Sequence, residues 1–255
     1  MRVRFRFTKL GKVRFTSHRD VARLWERALR RAGLPVASTE GFSPRPKVHF
    51  GLALPTGHES LGEYLDVDLR PDEAASVDVD ALPERLSPLL PIGLDVETAA
   101  VIERSGPSLQ EAVTSCSWRI GLVAPDPLVD EPSGASLEPD HVSARAAVAA
   151  LLAAGELPVT RERKGKVVED DIRPAVLELA VAEATDQVIL ECRLATQPRG
   201  IRPAELVATL ATFADRPLDE GPVLRTHQWI ALDGARAEPL PPRATRATYA
   251  EVRAS

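Results

Sequence analysis

Sulfur is scarce in this 255-residue chain: one methionine and two cysteines, Cys116 and Cys192, far apart and without a second cysteine near either. That excludes a disulfide framework and a cysteine-based zinc or iron–sulfur centre, and leaves two small buried hydrophobes as the expectation. Long apolar runs are missing too. No stretch could cross a bilayer, and the basic start MRVRFRFTK has charges where a signal peptide needs a continuous apolar core. We therefore expect a cytoplasmic protein with no membrane partner. Aromatic residues make up only 4% of the chain, which disfavours a surface built to stack many bases. No Walker, GxGxxG, GxSxG or HExxH motif occurs, and no His-x-x-x-His spacing suggests a metal. Neither cofactor nor metal is expected.

What the sequence does have is an uneven distribution of charge. The whole chain carries a net −5, yet residues 1–50 hold 13 Lys and Arg against three acids, a balance of +10. Such a split points to one basic surface for a polyanion on an otherwise acidic body. The preference for Arg over Lys can follow from genomic base composition, but base composition does not explain the clustering.

The pattern of elements predicts an α+β fold. RVRFRFT alternates, with Val3, Phe5 and Phe7 on one face and Arg2, Arg4 and Arg6 on the other; Val13 and Phe15 extend the alternation. Ser17 reads as a helix cap, followed by Val21, Leu24, Trp25, Ala28, Leu29 and Ala32 at helical spacing and ended by Gly33 and Pro35. Strands are predicted near 35–39, through Val48 to Leu54, over EYLDVDL and around 94–101, with a helix over 78–90. Strand, helix, strand, strand, helix, strand is the ferredoxin-like order. The order recurs after a connector at 106–115: SWRIGLV, a helix over 141–154, a strand at 158–163, the hairpin AVLELAVA/QVILECRLA, a helix over 203–213 and VLRTHQWIAL. The expected organisation is two tandem ferredoxin-like (βαββαβ) units with antiparallel sheets, over 1–104 and 105–235, with a Pro/Asp/Glu-rich loop at 124–139 within the second, and a disordered tail at 236–255.

Four constellations could carry function, and each has a plain structural reading beside it. Arg2, Arg4 and Arg6, with Lys47 and His49, should share the open face of the first sheet, which suits a sugar-phosphate backbone or is simply a solvated face. Arg19, Arg23, Arg27 and Arg30 form a stripe along the first helix with Arg31 beside it, partly offset by Asp20 and by Glu26, which can pair with Arg30. Arg45, in the loop EGFSPRPK, adds to the same basic half. The stretch RERKGKVVEDDIRP gathers Arg161, Arg163, Lys164 and Lys166 about Gly165, as a phosphate clamp on a mobile loop or as a charged hairpin tip. Ser17 and Asp20 are explained as a capping box. His18, adjacent to them, could be structural, could bind, or could act as general acid or base, with His49 or the His58-Glu59-Ser60 loop as partners if the fold brings them close.

Ser17-His18-x-Asp20, Arg27-Ala-x-Arg-Arg-Ala32 and Gly41-Phe-x-Pro-x-Pro46, within FTSHRDVARLWERALRRAGLPVASTEGFSPRPKVHFGLALPTGHESLGEYLDVDL, together with TRERKGKVVEDDIRP and RTHQWIAL, resemble the bacterial radical-SAM-linked protein family over residues 1–232. That family is found alone or attached to a radical SAM enzyme, often beside ribonuclease E/G and ribosomal-protein genes. The resemblance implies a role in tRNA or rRNA processing or modification. Here the Cys-x-x-x-Cys-x-x-Cys motif of radical SAM chemistry is absent, which implies the stand-alone companion form. The tandem order also resembles the repeat-associated RNA-binding proteins of CRISPR systems. The leading expectation is an RNA-binding accessory protein serving a separate enzyme. The alternatives are a metal-independent ribonuclease or RNA-modifying enzyme using His18, perhaps with His49, and a protein adaptor for a ribonuclease E/G-type or radical SAM partner.

Overall fold

The structure, a computed structural model, describes residues 1–125, 138–163, 165–183 and 186–242. Strand β1, Arg2–Lys9, follows the alternation of its sequence: Val3, Phe5 and Phe7 are sealed inside while Arg2, Arg4 and Arg6 take the other face. The alternation then stops. Gly11, at φ +66, turns the chain into a 3-10 segment over Gly11–Phe15, so Phe15 is exposed rather than continuing a strand. Helix α1, His18–Arg31, begins where the Ser17 hydroxyl oxygen accepts the Asp20 N–H. It buries Val21, Trp25, Ala28 and Leu29, and the Trp25 ring lies 5.6 Å from Phe5 and 5.0 Å from Phe7.

Only the isolated bridges Val36–Leu69 and Ser38–Pro46 stand where a strand at 35–39 is expected. Next come β2, Val48–Phe50, and β3, Glu59–Asp68. Two short helices follow, α2 at Pro71–Ala74 and α3 at Leu82–Leu86, with a 3-10 turn at Ser87–Leu89. One continuous helix over 78–90 is not formed: Pro83 and Pro88 each lack an N–H and each sit at the start of their own short segment. Strand β4, Val96–Ile102, and α4, Leu109–Ala112, complete this half.

The second half runs β5, Val113–Val123; α5, His141–Ala153, capped by Asp140; β6, Pro158–Arg163; and β7, Lys166–Asp171. Then come β8, Val176–Val181; β9, Ile189–Ala195; α6, Pro203–Ala211; β10, Asp219–Leu232; and β11, Ala235–Ala237. The stretch from Arg161 thus runs through a two-stranded antiparallel ribbon, β6 with β7, which agrees with the hairpin of the two readings.

The protein is α+β, with mostly antiparallel strands, and falls into two compact units that interleave along the chain. The first takes residues 1–56, 62–112 and the described tail from 237; the second takes 57–61 and 113–236. In the first, the strands stand in the order β4-β1-β3-β2. Both β1–β4 and β2–β3 are antiparallel. Its core lies on one face, where Phe5, Phe7, Trp25, Leu65, Leu82 and Leu86 meet. In the second, the order is β10-β5-β9-β8, antiparallel throughout, and Glu59–Ser60 pair parallel with Leu224–Arg225. Ile120, Leu151, Leu190, Leu206 and Leu210 fill its core.

The first unit includes residues up to Ala112, where Gln110 donates its side-chain amide to the Phe50 and Gly51 carbonyls of that unit. Most of the loop expected at 124–139, and residues 243–255 of the tail, lie outside the described residues. Residues 236–242 are described, with Ala235–Ala237 in β11.

Candidate nucleic-acid interface

The arginines of β1 are not free cations. Strand β3 runs beside β1 and presents Asp66 and Asp68 to the same face. Arg2 donates to Asp68 at 2.7 and 3.1 Å, and Arg4 to Asp66 at 2.8 and 2.9 Å, both side-on. Arg6 donates Nε to Glu97 at 2.7 Å and Nη1 to the Tyr64 hydroxyl at 2.7 Å and to Glu238 at 2.5 Å. Exposure of these side chains falls from 23% through 12% to 5% along the strand. The expectation of an open, cationic sheet face is therefore corrected: cross-strand carboxylates neutralise the row, and the tail lies on it. Burial disfavours ionised Asp68, but the Arg2 hydrogen bonds and the charges of Arg2, Arg104 and His49 prevail and hold its carboxyl below the usual range. Burial likewise works against the Arg6 charge, yet Tyr64, Glu238 and Glu97 raise its pKa above the ordinary arginine value.

Helix α1 differs. Arg19, Arg23, Arg27, Arg30 and Arg31 are all exposed. At 100° per residue the first four fall within about 80° of arc, over a length on the order of 17 Å. Asp20 pairs with Arg23 at 3.0 Å and is itself held low, first by the Ser17 hydroxyl and then by Arg23. The expected Glu26–Arg30 pair does not form among the described residues. Arg45 is exposed in the loop before β2, and Lys47 is half-buried, its carbonyl accepting from Asp68 N–H at 3.0 Å.

Within the first unit, His18 and His49 are not brought together. His18 stands edge-on to Phe50, centroids 5.2 Å apart, at the rim of a narrow cleft shared with Lys9, Glu63 and Tyr64. Its neighbour in the cleft, buried Lys9, donates to the Arg14 and Thr16 carbonyls at 3.2 and 3.0 Å and so ties down the turn before α1. His49 follows the opposite face and approaches Asp68 at 3.6 Å, since residues 49 and 50 of a strand point opposite ways. His58 belongs to the second unit, with Glu220 at 3.1 Å. Among the described residues no group of three metal-ligating side chains forms.

In the β6–β7 ribbon, Arg161 is engaged by Glu205 at 2.8 Å and Asp170 at 3.6 Å, and Arg199 also pairs with Asp170, so Arg161 belongs to the base of the ribbon. Arg163 and Lys166 pair across it through the backbone; Lys164 lies outside the described residues. Sequence reasoning missed one feature of the second unit. His227 stacks on Trp229 at 4.8 Å, Arg236 lies 4.7 Å over the same indole, and the indole N–H donates to the Ser117 hydroxyl at 2.8 Å. The alternation H-x-W in RTHQWIAL was the available signal.

Fold and surface together define an α+β protein of mostly antiparallel strands with one exposed arginine helix. Residues 2–203 match the family described as "Uncharacterized protein conserved in bacteria (DUF2344)", and the chain belongs to that family. No curated protein matches. Among solved structures, the chain is similar to one titled "Crystal Structure of a Cbf5-Nop10-Gar1 Complex", with a TM-score of 0.45 and 9% identity, over 89% of this chain and 48% of that one. It thus spans about half the length of the chain it matches.

No helix among the described residues is long and apolar enough to cross a membrane.

Proposed function

We propose that this is a cytoplasmic RNA-binding accessory protein built of two tandem ferredoxin-like units. It holds the sugar-phosphate backbone of a structured RNA on helix α1 for a separate enzyme of tRNA or rRNA processing or modification, such as a radical SAM enzyme. The strand orders β4-β1-β3-β2 and β10-β5-β9-β8 support the tandem reading, because each sets the first and third strands of its unit in the middle of the sheet. The observation that carries the RNA reading is the exposed arginine face of α1: five guanidinium groups on one helix, of which, among the described residues, only Arg23 is in an ion pair with an acid. Each phosphate neutralised there would release counterions, so affinity would fall with salt. The face has no aromatic residue for stacking, so it would follow the backbone rather than read bases.

The test is RNA affinity as a function of salt for the whole chain and for Arg27→Gln/Arg30→Gln/Arg31→Gln. A steep decline with salt, shallower in the variant, supports the reading. Absence of binding at low salt overturns it. Capture of an acidic protein by α1 that survives nuclease treatment would assign the helix to a protein partner instead.

A further inference from the structure

The tail residue Glu238 occupies an oxyanion site. Its carboxylate accepts from Arg6 Nη1 at 2.5 Å and from the Tyr64 hydroxyl at 3.3 Å, and the next residue's carbonyl, Pro239 O, accepts from Arg4 Nη1 at 3.4 Å. The site is built rather than accidental. The Arg6 side chain is 95% buried, and its guanidinium rests against Gly62, where a Cβ would lie 3.2 Å from Cζ and Nη2. Glu97 holds Arg6 Nε from the other side, which aims Nη1 at the tail.

The tail is held by side chains rather than by a backbone ladder. In Glu238-Pro-Leu-Pro-Pro242 three residues have no N–H, and no backbone–backbone hydrogen bond fixes 238–242 among the described residues. Among the described residues, Arg2, Arg4, Arg6 and Arg104 meet Asp66, Asp68, Glu97 and Glu238, with His49 beside them, so Glu238 supplies one of the four carboxylates that face these guanidinium groups.

We propose that the Arg4–Arg6–Tyr64 face is a second phosphodiester-binding site, and that the segment 238–242 is a strap which closes it, Glu238 standing where a phosphate of bound RNA would sit. Carboxylate and phosphate oxygens satisfy the same guanidinium donors, so RNA and strap compete for one set of hydrogen bonds. The idea rests on the RNA reading above, but on a different face from α1, and it can fail separately.

The test uses the full chain with a labelled short oligouridylate at low salt. Glu238→Gln should bind about threefold to tenfold more tightly, as expected when a closed state no longer competes. Glu238→Asp keeps the charge but falls one methylene short of Arg6; it should also gain affinity, whereas a long-range charge effect would leave it like the wild type. Unchanged or weaker binding by both variants overturns the strap. If α1 variants still lose affinity in that case, the helix reading stands alone. If only the Glu238 variants bind, the strap stands without the helix. Absence of binding by every protein overturns both.

Discussion

Arg4 and Asp66 meet side-on, Nε to Oδ1 at 2.8 Å and Nη2 to Oδ2 at 2.9 Å, with the two side chains 12% and 5% exposed. The geometry makes each partner costly to remove alone, because the other is left as a buried uncompensated charge. Asp66→Ala should lower unfolding stability by about 3 kcal/mol. Adding Arg4→Ala should return part of that loss, so a double-mutant cycle by urea denaturation should give a favourable coupling energy. Additive losses would show that the pair does not act as a unit.

Asp68 makes stability depend on acid. Its carboxyl is lower in the folded protein than the unfolded value of about 3.9. The stabilisation this brings is complete above the unfolded value and is lost as pH falls through the folded one. Denaturation midpoints should therefore decline below about pH 4 more steeply in the wild type than in Asp68→Asn. Equal acid slopes would mean that Arg2 and Arg104 do not favour the ionised carboxylate.

On helix α1, every arginine that touches a phosphate should contribute to the salt dependence of RNA binding. Replacing Arg27, Arg30 and Arg31 by Gln should reduce the slope of log affinity against log salt by about 0.7 to 0.9 for each contact removed. His18→Ala should leave that slope unchanged, since His18 faces Phe50 rather than the arginine stripe. Loss of RNA cleavage or modification in His18→Ala, with binding intact, would instead place His18 in a reaction.

Cys116 and Cys192 should resist alkylation in the native protein. They are 2% and 5% exposed, and burial pushes the Cys192 thiol up to about 12. A thiol so seldom ionised is a poor nucleophile. Iodoacetamide should label them only after denaturant is added, as read by mass spectrometry.

Gly93 lies at φ +95 against the end of β1, and a Cβ there would come 2.2 Å from the Leu10 carbonyl oxygen. Leu10 N–H also donates to Gly93 O at 2.9 Å. Gly93→Ala must both strain the backbone and break this approach, and should destabilise by more than 1 kcal/mol. An unchanged melting temperature would contradict it.

Local periodicity made much of this fold legible. The apolar spacing between Ser17 and Gly33 marks α1 closely, the alternation of RVRFRFT marks β1, and two β-rich runs mark the β8–β9 hairpin. What failed depended on partners distant in sequence or on single backbone residues. Val13 and Phe15 alternate as a strand would, but Gly11 turns the chain first. The charge on Arg2, Arg4 and Arg6 looked free because its neutralising groups lie far along the chain: Asp66 is 62 residues from Arg4, and Glu238 is 232 from Arg6. The mirrored pattern D-x-D in EYLDVDL was visible, yet only strand order says that it faces R-x-R. The α1 stripe was legible because a helix carries its own geometry.

The interleaving of the two units constrains how this gene can be cut. A break after Ala112 would keep the first unit's helices and strands but discard Glu238, and would leave residues 57–61 without the strand β10 they pair with. Neither unit is a contiguous cassette. Recombination that moved one into another gene would carry away a segment of the other, so the pair is heritable only as a whole.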